Sequence, residues 1–456
     1  MSGMQGEVMN ALGLSVIFIL ILMLGEGIYR VIPYNPEIAR KSVHFLSGLT
    51  ALSLPYLIQS HWLVLLLAVS FLMVITVAGK KGLLRSIHGI ERKSQGALYF
   101  PVSVYGIFLL GHARPVIYLI PILVMTVSDT LAALLGEKYG SLKYEVEGSM
   151  KSVEGSAVFF FATFLCVHLP LLLMTQIDRN SSVLIALVIA LLITGFEAIS
   201  LAGSDNIFIP FGTYYFLAKM TKQPLTGTTE DLWKLLFMIA VTVVVAMKSR
   251  LWKANGLIGM ALLNYAAWSL CDVYWFLPLL LAQVMLYLLS VYFARKVEEE
   301  IAGYQIKVFI YSAIIPALLI FTANTVDNYD AMYVPYLTAV VGQIAIIAYF
   351  FVSIVKDSGD GTLARLRSNT YITIAACGMV STFFVGAFPL LLYLDTARLS
   401  SLGILGVGVF IALFVFHLLL VRYHLKEERM LRQKMRLVSV GIAVVVVFIV
   451  QLLAVI

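Results

Sequence analysis

Apolar residues are gathered into sixteen runs along the chain, and short polar segments separate one run from the next. Most runs approach the length of about 20 residues that an α-helix needs to cross a bilayer. The apolar–polar alternation typical of porin strands is not evident in them. The runs fall near residues 9–32, 43–59, 62–78, 97–111, 115–135, 153–175, 182–202, 206–218, 232–248, 257–270, 273–293, 307–323, 331–354, 371–394, 400–420 and 437–455. The pattern predicts an all-α integral membrane protein, a polytopic helical bundle of about 14–16 transmembrane helices.

Basic residues are distributed unevenly over the loops between these runs. Cytosolic loops of membrane proteins carry an excess of Lys and Arg. When the loop at 35–42 is placed in the cytosol and the sides alternate from there, the cytosolic loops and their helix ends hold 26 of the 32 Lys and Arg residues. This asymmetry predicts that the loops at 79–96 and 136–152 face the cytosol. It also favours a short span, rather than a re-entrant loop, at 206–218.

The composition excludes an ordinary soluble enzyme. Of the 456 residues, 61% are hydrophobic and only 12% are charged, whereas soluble domains are about 45–50% apolar and about 25% charged. The three cysteines, Cys166, Cys271 and Cys377, lie in or beside apolar runs, which indicates packing rather than a disulfide framework. We predict a multi-pass protein of a bacterial cytoplasmic membrane or of the endoplasmic reticulum membrane. Its predicted partner is the lipid bilayer and not nucleic acid, and the sequence leaves the oligomeric state open.

Ionisable residues near or within membrane spans mark functional sites, and in the first half of the chain they collect at the predicted cytosolic ends. Asp129 and Glu197 stand inside apolar runs, where an unpaired carboxylate is costly. The other members of the set are Arg40, Lys41, His44, Glu91, Arg92, Ser94, Lys151, Ser152, Glu154, Gly155, Ser156, Asp205 and Asn206. Polar ends of several spans on one face are what a site for a soluble, charged cosubstrate requires.

The residue types in this set are those of a magnesium–nucleotide phosphate site. Carboxylates suit Mg²⁺, which takes one or two of them together with substrate phosphates. The candidate magnesium ligands are Asp129, together with Glu197 or Asp205 as the second carboxylate. Basic side chains hold phosphates, and the predicted phosphate contacts are Arg40, Lys41, Arg92 and Lys151. The segment 151–156 opens a helix, whose free N–H groups favour anions, and the candidates there are Ser152, Gly155 and Ser156. Neither a P-loop nor the protein-kinase signature set is present.

Each of these residues also has an ordinary structural explanation when it is taken alone. Arg40 and Lys41 could simply anchor a helix end at the membrane surface. Ser152 is a plausible helix N-cap, and His44 could be an interfacial packing residue. Asp129 is the hardest to explain in this way, because an acidic residue inside an apolar run usually has a partner or a function. The order and the shared side of the motifs favour the functional interpretation.

Five segments, in this order, resemble the phytol kinase/dolichol kinase family. They are ARKSVH at 39–44, ERKSQGALYFP at 91–101, SDTLAALLG at 128–136 with KYG at 138–140, KSVEGS at 151–156, and EAIS at 197–200 followed by Asp205, Asn206 and Pro210. The resemblance covers roughly residues 30–215. Ser128 stands where Gly is common and Ala97 where Thr is common, and the dolichol kinase branch carries its motifs at the C-terminal end instead. These departures bear on the substrate more than on the reaction.

The resemblance implies an integral-membrane kinase that transfers the γ-phosphate of CTP to a lipid alcohol at the cytosolic face. The implied acceptor is phytol, dolichol or another polyprenol, and Mg²⁺ or another divalent cation is the implied cofactor. The catalytic candidates are Asp129, Lys151, Glu154 and His44, of which His44 or Glu154 would be the base. We expect residues 1–225 to form the kinase-like membrane domain, and residues 226–456 to form an additional multi-helix membrane domain of unknown role.

Other functions remain open at this point. A phosphatidate cytidylyltransferase or a CTP-dependent diacylglycerol kinase would also join CTP chemistry to a membrane lipid, although the sequence shows no cytidylyltransferase signature near its C-terminal end. A non-enzymatic lipid transporter would suit the many spans. Transporters, however, commonly place broken helices or charged residues in both halves, whereas the acidic residues here cluster in one half.

Overall fold

The computed structural model describes residues 3–32, 36–81, 95–146, 149–201, 203–248, 253–293, 306–357, 370–393, 399–423 and 429–455. Each of the sixteen apolar runs contains helix, so the prediction of an all-α polytopic membrane protein is confirmed. Within the described ranges, eleven helices are long and apolar enough to cross a membrane, and Gly96–Gly111 is a shorter apolar helix. The predicted number of spans, about 14–16, includes shorter helices that fall outside the eleven.

The chain divides into two compact units, Met1–Trp233 and Lys234–Ile456. The division falls within one helix, Leu225–Lys248, and the predicted domain boundary at residue 225 lies at the start of that helix. The helices of the first unit are α1 (Met4–Val31), α2 (Pro36–Ala51), α3 (Leu54–Leu57), α4 (His61–Lys80), α5 (Gly96–Gly111), α6 (Pro115–Leu123), α7 (Asp129–Tyr139), α8 (Val153–Met174), α9 (Arg179–Ile199), α10 (Asp205–Met220) and the first part of α11 (Leu225–Lys248).

The second unit is also built of helices. They are the remainder of α11, α12 (Ala254–Ala266), α13 (Val273–Phe293), α14 (Ile306–Val326), α15 (Tyr329–Asp357), α16 (Thr370–Ser381), α17 (Phe388–Tyr393), α18 (Leu399–Arg422) and α19 (Arg429–Val455). At the centre of this unit lies α15, in which 89% of the apolar 18-residue stretch is buried. Two π-helical turns, Ala267–Cys271 and Thr382–Ala387, interrupt the helices of this unit.

A π-helical turn, Val124–Ser128, joins α6 to α7 in the first unit. Single π-turns inside α-helices are rare and occur often at functional sites. This one is buried, and α2 packs against it so closely that a Cβ on Gly48 would collide with the side chain of Thr126. The turn therefore places the residue that follows it, Asp129, against α2.

A two-stranded antiparallel hairpin precedes α8. Its strands are β1 (Lys143–Val146) and β2 (Ser149–Ser152), and Tyr144 pairs with Lys151 in its register. Behind the hairpin, α7 and α8 approach each other at Gly136 and Gly155, where a Cβ on Gly155 would lie 3.2 Å from the Gly136 Cα atom. The glycines allow the two helix backbones to touch, and the hairpin carries Lys151 to the start of α8.

Candidate active site

A buried cluster of Lys41, His44 and Asp129 joins α2 to the start of α7. Lys41 and His44 are three residues apart, so they lie on the same face of α2. Lys41 Nζ donates to Asp129 Oδ2 at 2.6 Å and to the Asp129 carbonyl oxygen at 3.3 Å. The side chains of Lys41 and Asp129 are only 4% and 10% exposed. In such surroundings, removal of one partner leaves an uncompensated charge, which costs about 3–5 kcal/mol.

His44 contacts both sides of this cluster. Its Nε2 lies 3.0 Å from the carbonyl oxygen of Met125 in the π-helical turn and 3.6 Å from Asp129 Oδ2. The imidazole also packs edge-on against Phe100, with ring centroids 5.2 Å apart. A carbonyl can only accept, so the short contact assigns the proton of the neutral ring to Nε2. The lone pair of Nδ1 is then left as an acceptor, which is the arrangement that a general base requires.

A second lysine–carboxylate pair joins β2 to the end of α9. Lys151 Nζ lies 2.8 Å from Glu197 Oε1 and 2.9 Å from Ser200 Oγ, and it also contacts the Glu197 carbonyl oxygen. Ser156 donates to Glu197 Oε2 at 3.3 Å and lies 2.9 Å from the hydroxyl of Tyr144. Burial, with the Glu197 carboxylate as a further cause, raises the pKa of Tyr144 to about 12, so this hydroxyl stays protonated. The pair fixes the hairpin against α9.

The carboxylates of both pairs lie on helices enclosed by protein. In the span that includes Asp129, 67% of the apolar 18-residue stretch is buried, and in the span that ends near Glu197 the share is 56%. The corresponding shares in α1 and α4 are only 22% and 11%. Carboxylates on such helices face the interior of the bundle rather than lipid, as intramembrane charges usually do. Each of these two carboxylates binds a lysine.

Arg40, one position before Lys41, borders a cavity. Its guanidinium forms an ion pair with Glu37 through Nε and Nη2, with Nε 3.0 Å from the carboxylate. The Nη1 group makes no hydrogen bond with a described residue, so it is available to an anion. The cavity, called the polar cavity below, is lined by Arg40, Val43, His44, Ser47, Phe71, Ile75, Ala97, Phe100 and Asn206.

The start of α8 differs from the anion site that the sequence suggested. Ser152 Oγ accepts from the Gly155 N–H at 3.1 Å, and the Val153 N–H donates to the Leu142 carbonyl oxygen at 2.9 Å. Ser152 is thus an N-cap, and Gly155 contacts Gly136. The N–H groups of Val153 and Gly155 are satisfied within the protein, and Ser156 is engaged with Glu197. Ser152 and Gly155 therefore have structural roles here.

Glu154, a candidate base, is also engaged. Its Oε1 accepts from the backbone N–H groups of Ser141 and Leu142, at 3.0 and 3.1 Å, and from the Ser141 hydroxyl. These bonds hold the turn before the hairpin and use the carboxylate that a base would need. Between the two candidates, His44 has the better geometry.

The three candidate magnesium ligands are not gathered around one point. Asp129 and Glu197 each bind a lysine, and the ranges described by the structure contain no group of three or more His, Cys, Asp or Glu side chains suited to a metal ion. Asp205 differs, because the one hydrogen bond of its carboxylate to a described residue comes from the Asn206 N–H at 3.0 Å. A partly buried carboxylate of this kind fits an ion that takes most of its ligands from substrate phosphates and water. Arg92, with Glu91 and Ser94, lies outside the described residues.

Three residues at these sites were given no role from the sequence. Ser200 completes the environment of Lys151, Asn206 donates from Nδ2 to the Gly96 carbonyl oxygen at 2.9 Å, and Ser47 lines the polar cavity. Ser200 and Asn206 belong to the fifth of the segments described above, so the sequence held a signal for them. Ser47 follows Arg40 and His44 at helical spacing, and this common face was the signal that could have found it.

The fold and the buried pairs define a polytopic helical membrane protein with a polar site inside its first unit. The chain is 30% identical to a phytol kinase of Synechocystis over 208 residues, which span 44% of this chain and 88% of that protein. The chain therefore belongs to the phytol kinase family, as a distant member whose remaining length lies outside this match. No protein-family model matches the chain. No solved structure matches it.

Proposed function

We propose that the protein is a lipid kinase that transfers the γ-phosphoryl group of CTP to the hydroxyl group of a lipid alcohol. The observation that carries the proposal is the buried Lys41–Asp129–His44 cluster, in which the His44 imidazole is oriented by a carbonyl and faces a carboxylate. Membership in the phytol kinase family supports this reaction class. The motif resemblance supports CTP as the donor and the cytosolic face as the site of reaction.

His44 is the proposed general base. The lipid hydroxyl oxygen attacks the γ-phosphorus, the bond from this phosphorus to the bridging oxygen breaks, and CDP leaves with the electron pair. The hydroxyl proton passes to Nδ1 of His44, while Nε2 keeps its proton next to the Met125 carbonyl oxygen. The resulting imidazolium is stabilised by the Asp129 carboxylate at 3.6 Å, as a buried acid stabilises the histidine of a hydrolase triad. Lys41 holds Asp129 ionised and in place.

Phosphoryl transfer depends mainly on positioning and on charge neutralisation. Arg40 fits this role, because its Nη1 group is available beside the polar cavity. Lys41 and Lys151 are neutralised by carboxylates, so we assign them first to holding the site together. Mg²⁺ bound with the nucleotide would be held by Asp205, and it would neutralise phosphate charge.

A transfer assay tests the proposal. The purified protein is incubated with CTP or ATP labelled at the γ-phosphate, with and without a chelator, and with a panel of phytol, farnesol, dolichol, undecaprenol and diacylglycerol. We expect a labelled lipid phosphate and CDP, formed only with the divalent cation present. Release of pyrophosphate and formation of a CDP-lipid would instead indicate a cytidylyltransferase. Use of ATP in place of CTP would contradict the proposed donor.

A further inference from the structure

Among the buried polar atoms of the first unit that have no hydrogen-bond partner in the described residues, two line the polar cavity. Ser47 is 2% exposed and Asn206 is 4% exposed, and both line the polar cavity. Neither Ser47 Oγ nor Asn206 Oδ1 has a hydrogen-bond partner in the part of the chain that the structure describes. Buried polar groups are hydrogen-bonded in the great majority of cases, so an unpaired buried atom that lines a cavity indicates a partner that binds in the cavity. The hydroxyl of Ser47 can donate, whereas Asn206 Oδ1 can only accept.

The partner has to donate to Asn206 Oδ1, and a group that also accepts the proton of Ser47 would satisfy both side chains in full. An ionised carboxylate or phosphate cannot donate to Asn206 Oδ1, and an ammonium group could donate to both atoms but would leave the Ser47 hydroxyl proton without an acceptor. An alcohol hydroxyl offers one donor and two acceptor positions. It could accept from Ser47 and donate either to Asn206 or to the Nδ1 lone pair of His44, which lines the same cavity.

An apolar cavity adjoins the polar cavity. It lies among α1, α4 and α5 and shares Phe71 and Phe100 with the polar cavity; its other lining residues include Phe18, Leu67, Ala68 and Val104. It is lined entirely by apolar side chains. The outer faces of α1 and α4 carry exposed apolar residues such as Leu20 and Leu66, which are suited to contact lipid. A hydrocarbon chain is the occupant that such a lining would favour, since burial of apolar surface is the main interaction it offers.

We infer that the two cavities together form the acceptor site, with the hydroxyl of a long-chain lipid alcohol between Ser47 and Asn206 and its hydrocarbon chain between α4 and α5. The role of this site in phosphoryl transfer rests on the proposed function, whereas the binding of the lipid alcohol does not. It makes Phe71 and Phe100 the point at which the chain passes from the polar cavity to the apolar cavity. It also makes the α4 and α5 lining the determinant of which chain is accepted.

Adjacent leucines on α4 offer a matched test. Leu67 lines the apolar cavity, and Leu66 is 61% exposed on the outer face. The probe is a long-chain prenyl alcohol that carries a photoreactive diazirine, and the labelled residues are identified by mass spectrometry with the full-length protein. We expect phytol-competable labelling of α4 or α5. Leu67→Trp should reduce it about tenfold, the equivalent of ~1.4 kcal/mol, and Leu66→Trp should leave it unchanged.

A smaller substitution at the same cavity provides a second test. If Leu67→Trp does not fold, Ala68→Leu should give a smaller loss of labelling in the same direction, and Ser47→Ala should weaken competition by phytol. Labelling outside α4 and α5, or equal labelling of the Leu66 and Leu67 variants, would overturn the inference. Phosphoryl transfer to phytol with an unchanged KM in Leu67→Trp would overturn it too, while the proposed function would stand. Specific labelling without any phosphoryl transfer would contradict the proposed function and leave the acceptor site in place.

Discussion

The two units of the chain bury polar side chains in different ways. In the first unit the buried polar groups include ionised pairs, Lys41 with Asp129 and Lys151 with Glu197. In the second unit, Asn264 and Gln283 bond each other at 2.9 and 3.2 Å, and the Tyr336 hydroxyl donates to the Trp275 carbonyl oxygen. Neutral amide and hydroxyl contacts of this kind join helices in membranes. Buried charges are expensive to keep. The lysine–carboxylate pairs of the first unit therefore point to chemistry, whereas in the second unit the buried Arg432 and Arg436 engage Phe350 and Ser312, and the neutral pairs point to packing.

The largest effect is expected at His44. His44→Ala should lower kcat for lipid phosphorylation by about 10²–10⁴-fold, the usual contribution of a general base, and leave the KM for CTP nearly unchanged. His168, which contacts Ser182 and stacks on Phe164, is the matched control in the same unit. His168→Ala should retain transfer. Equal rates for the two variants would remove His44 from the mechanism.

The second-largest effect is expected at Asp129. Asp129→Asn keeps the shape of the side chain but removes the charge opposite His44 and Lys41, and we expect a loss of about 10²-fold or more in kcat. A companion variant separates chemistry from folding. Lys41→Met alone leaves Asp129 buried and unpaired, at a cost of about 3–5 kcal/mol. In the Lys41→Met/Asp129→Asn double variant, the thermal unfolding temperature in detergent should recover, whereas the rate of phosphoryl transfer should not.

The Lys151–Glu197 pair should give a smaller effect. Lys151→Met and Glu197→Gln are each expected to lower kcat/KM about tenfold, equivalent to ~1.4 kcal/mol. The double variant should be no worse than either single variant, because residues of one pair act together. Steady-state kinetics over a range of CTP concentrations measures this. Strictly additive losses would show that Lys151 contacts the nucleotide independently of Glu197.

The smallest effect is expected in the second unit. Gln283→Leu should change stability by only about 0.6 kcal/mol, the average for hydrogen bonds between membrane helices, and should leave phosphoryl transfer intact. Thermal unfolding and the transfer assay, run on the same preparation, check both statements. A loss of transfer comparable with that of Asp129→Asn would mean that the second unit contributes to the reaction.

The sequence by itself determined the class of fold. Apolar runs of bilayer length can satisfy their backbone only as helices or closed barrels, and the helical choice follows from their length and from the absence of alternation. The same sequence singled out Lys41, His44 and Asp129, because ionisable residues beside apolar runs are rare. It could not say which of them meet. Lys41 and Asp129 are 88 positions apart, and local periodicity carries no information on such pairing.

Only the tertiary structure decided which side chains are engaged. The sequence grouped Asp129, Glu197 and Asp205 as candidate ligands of one ion, since all three are carboxylates at the same predicted face. In the folded chain the close packing of α2 on the π-helical turn places Lys41 against Asp129, and the hairpin places Lys151 against Glu197. Glu154 was likewise a candidate base from the sequence. In the folded chain its carboxylate accepts hydrogen bonds from the backbone of the turn before the hairpin. Charge neutralisation depends on distances of a few ångströms, and these are set by helix packing that brings residues far apart in the chain together.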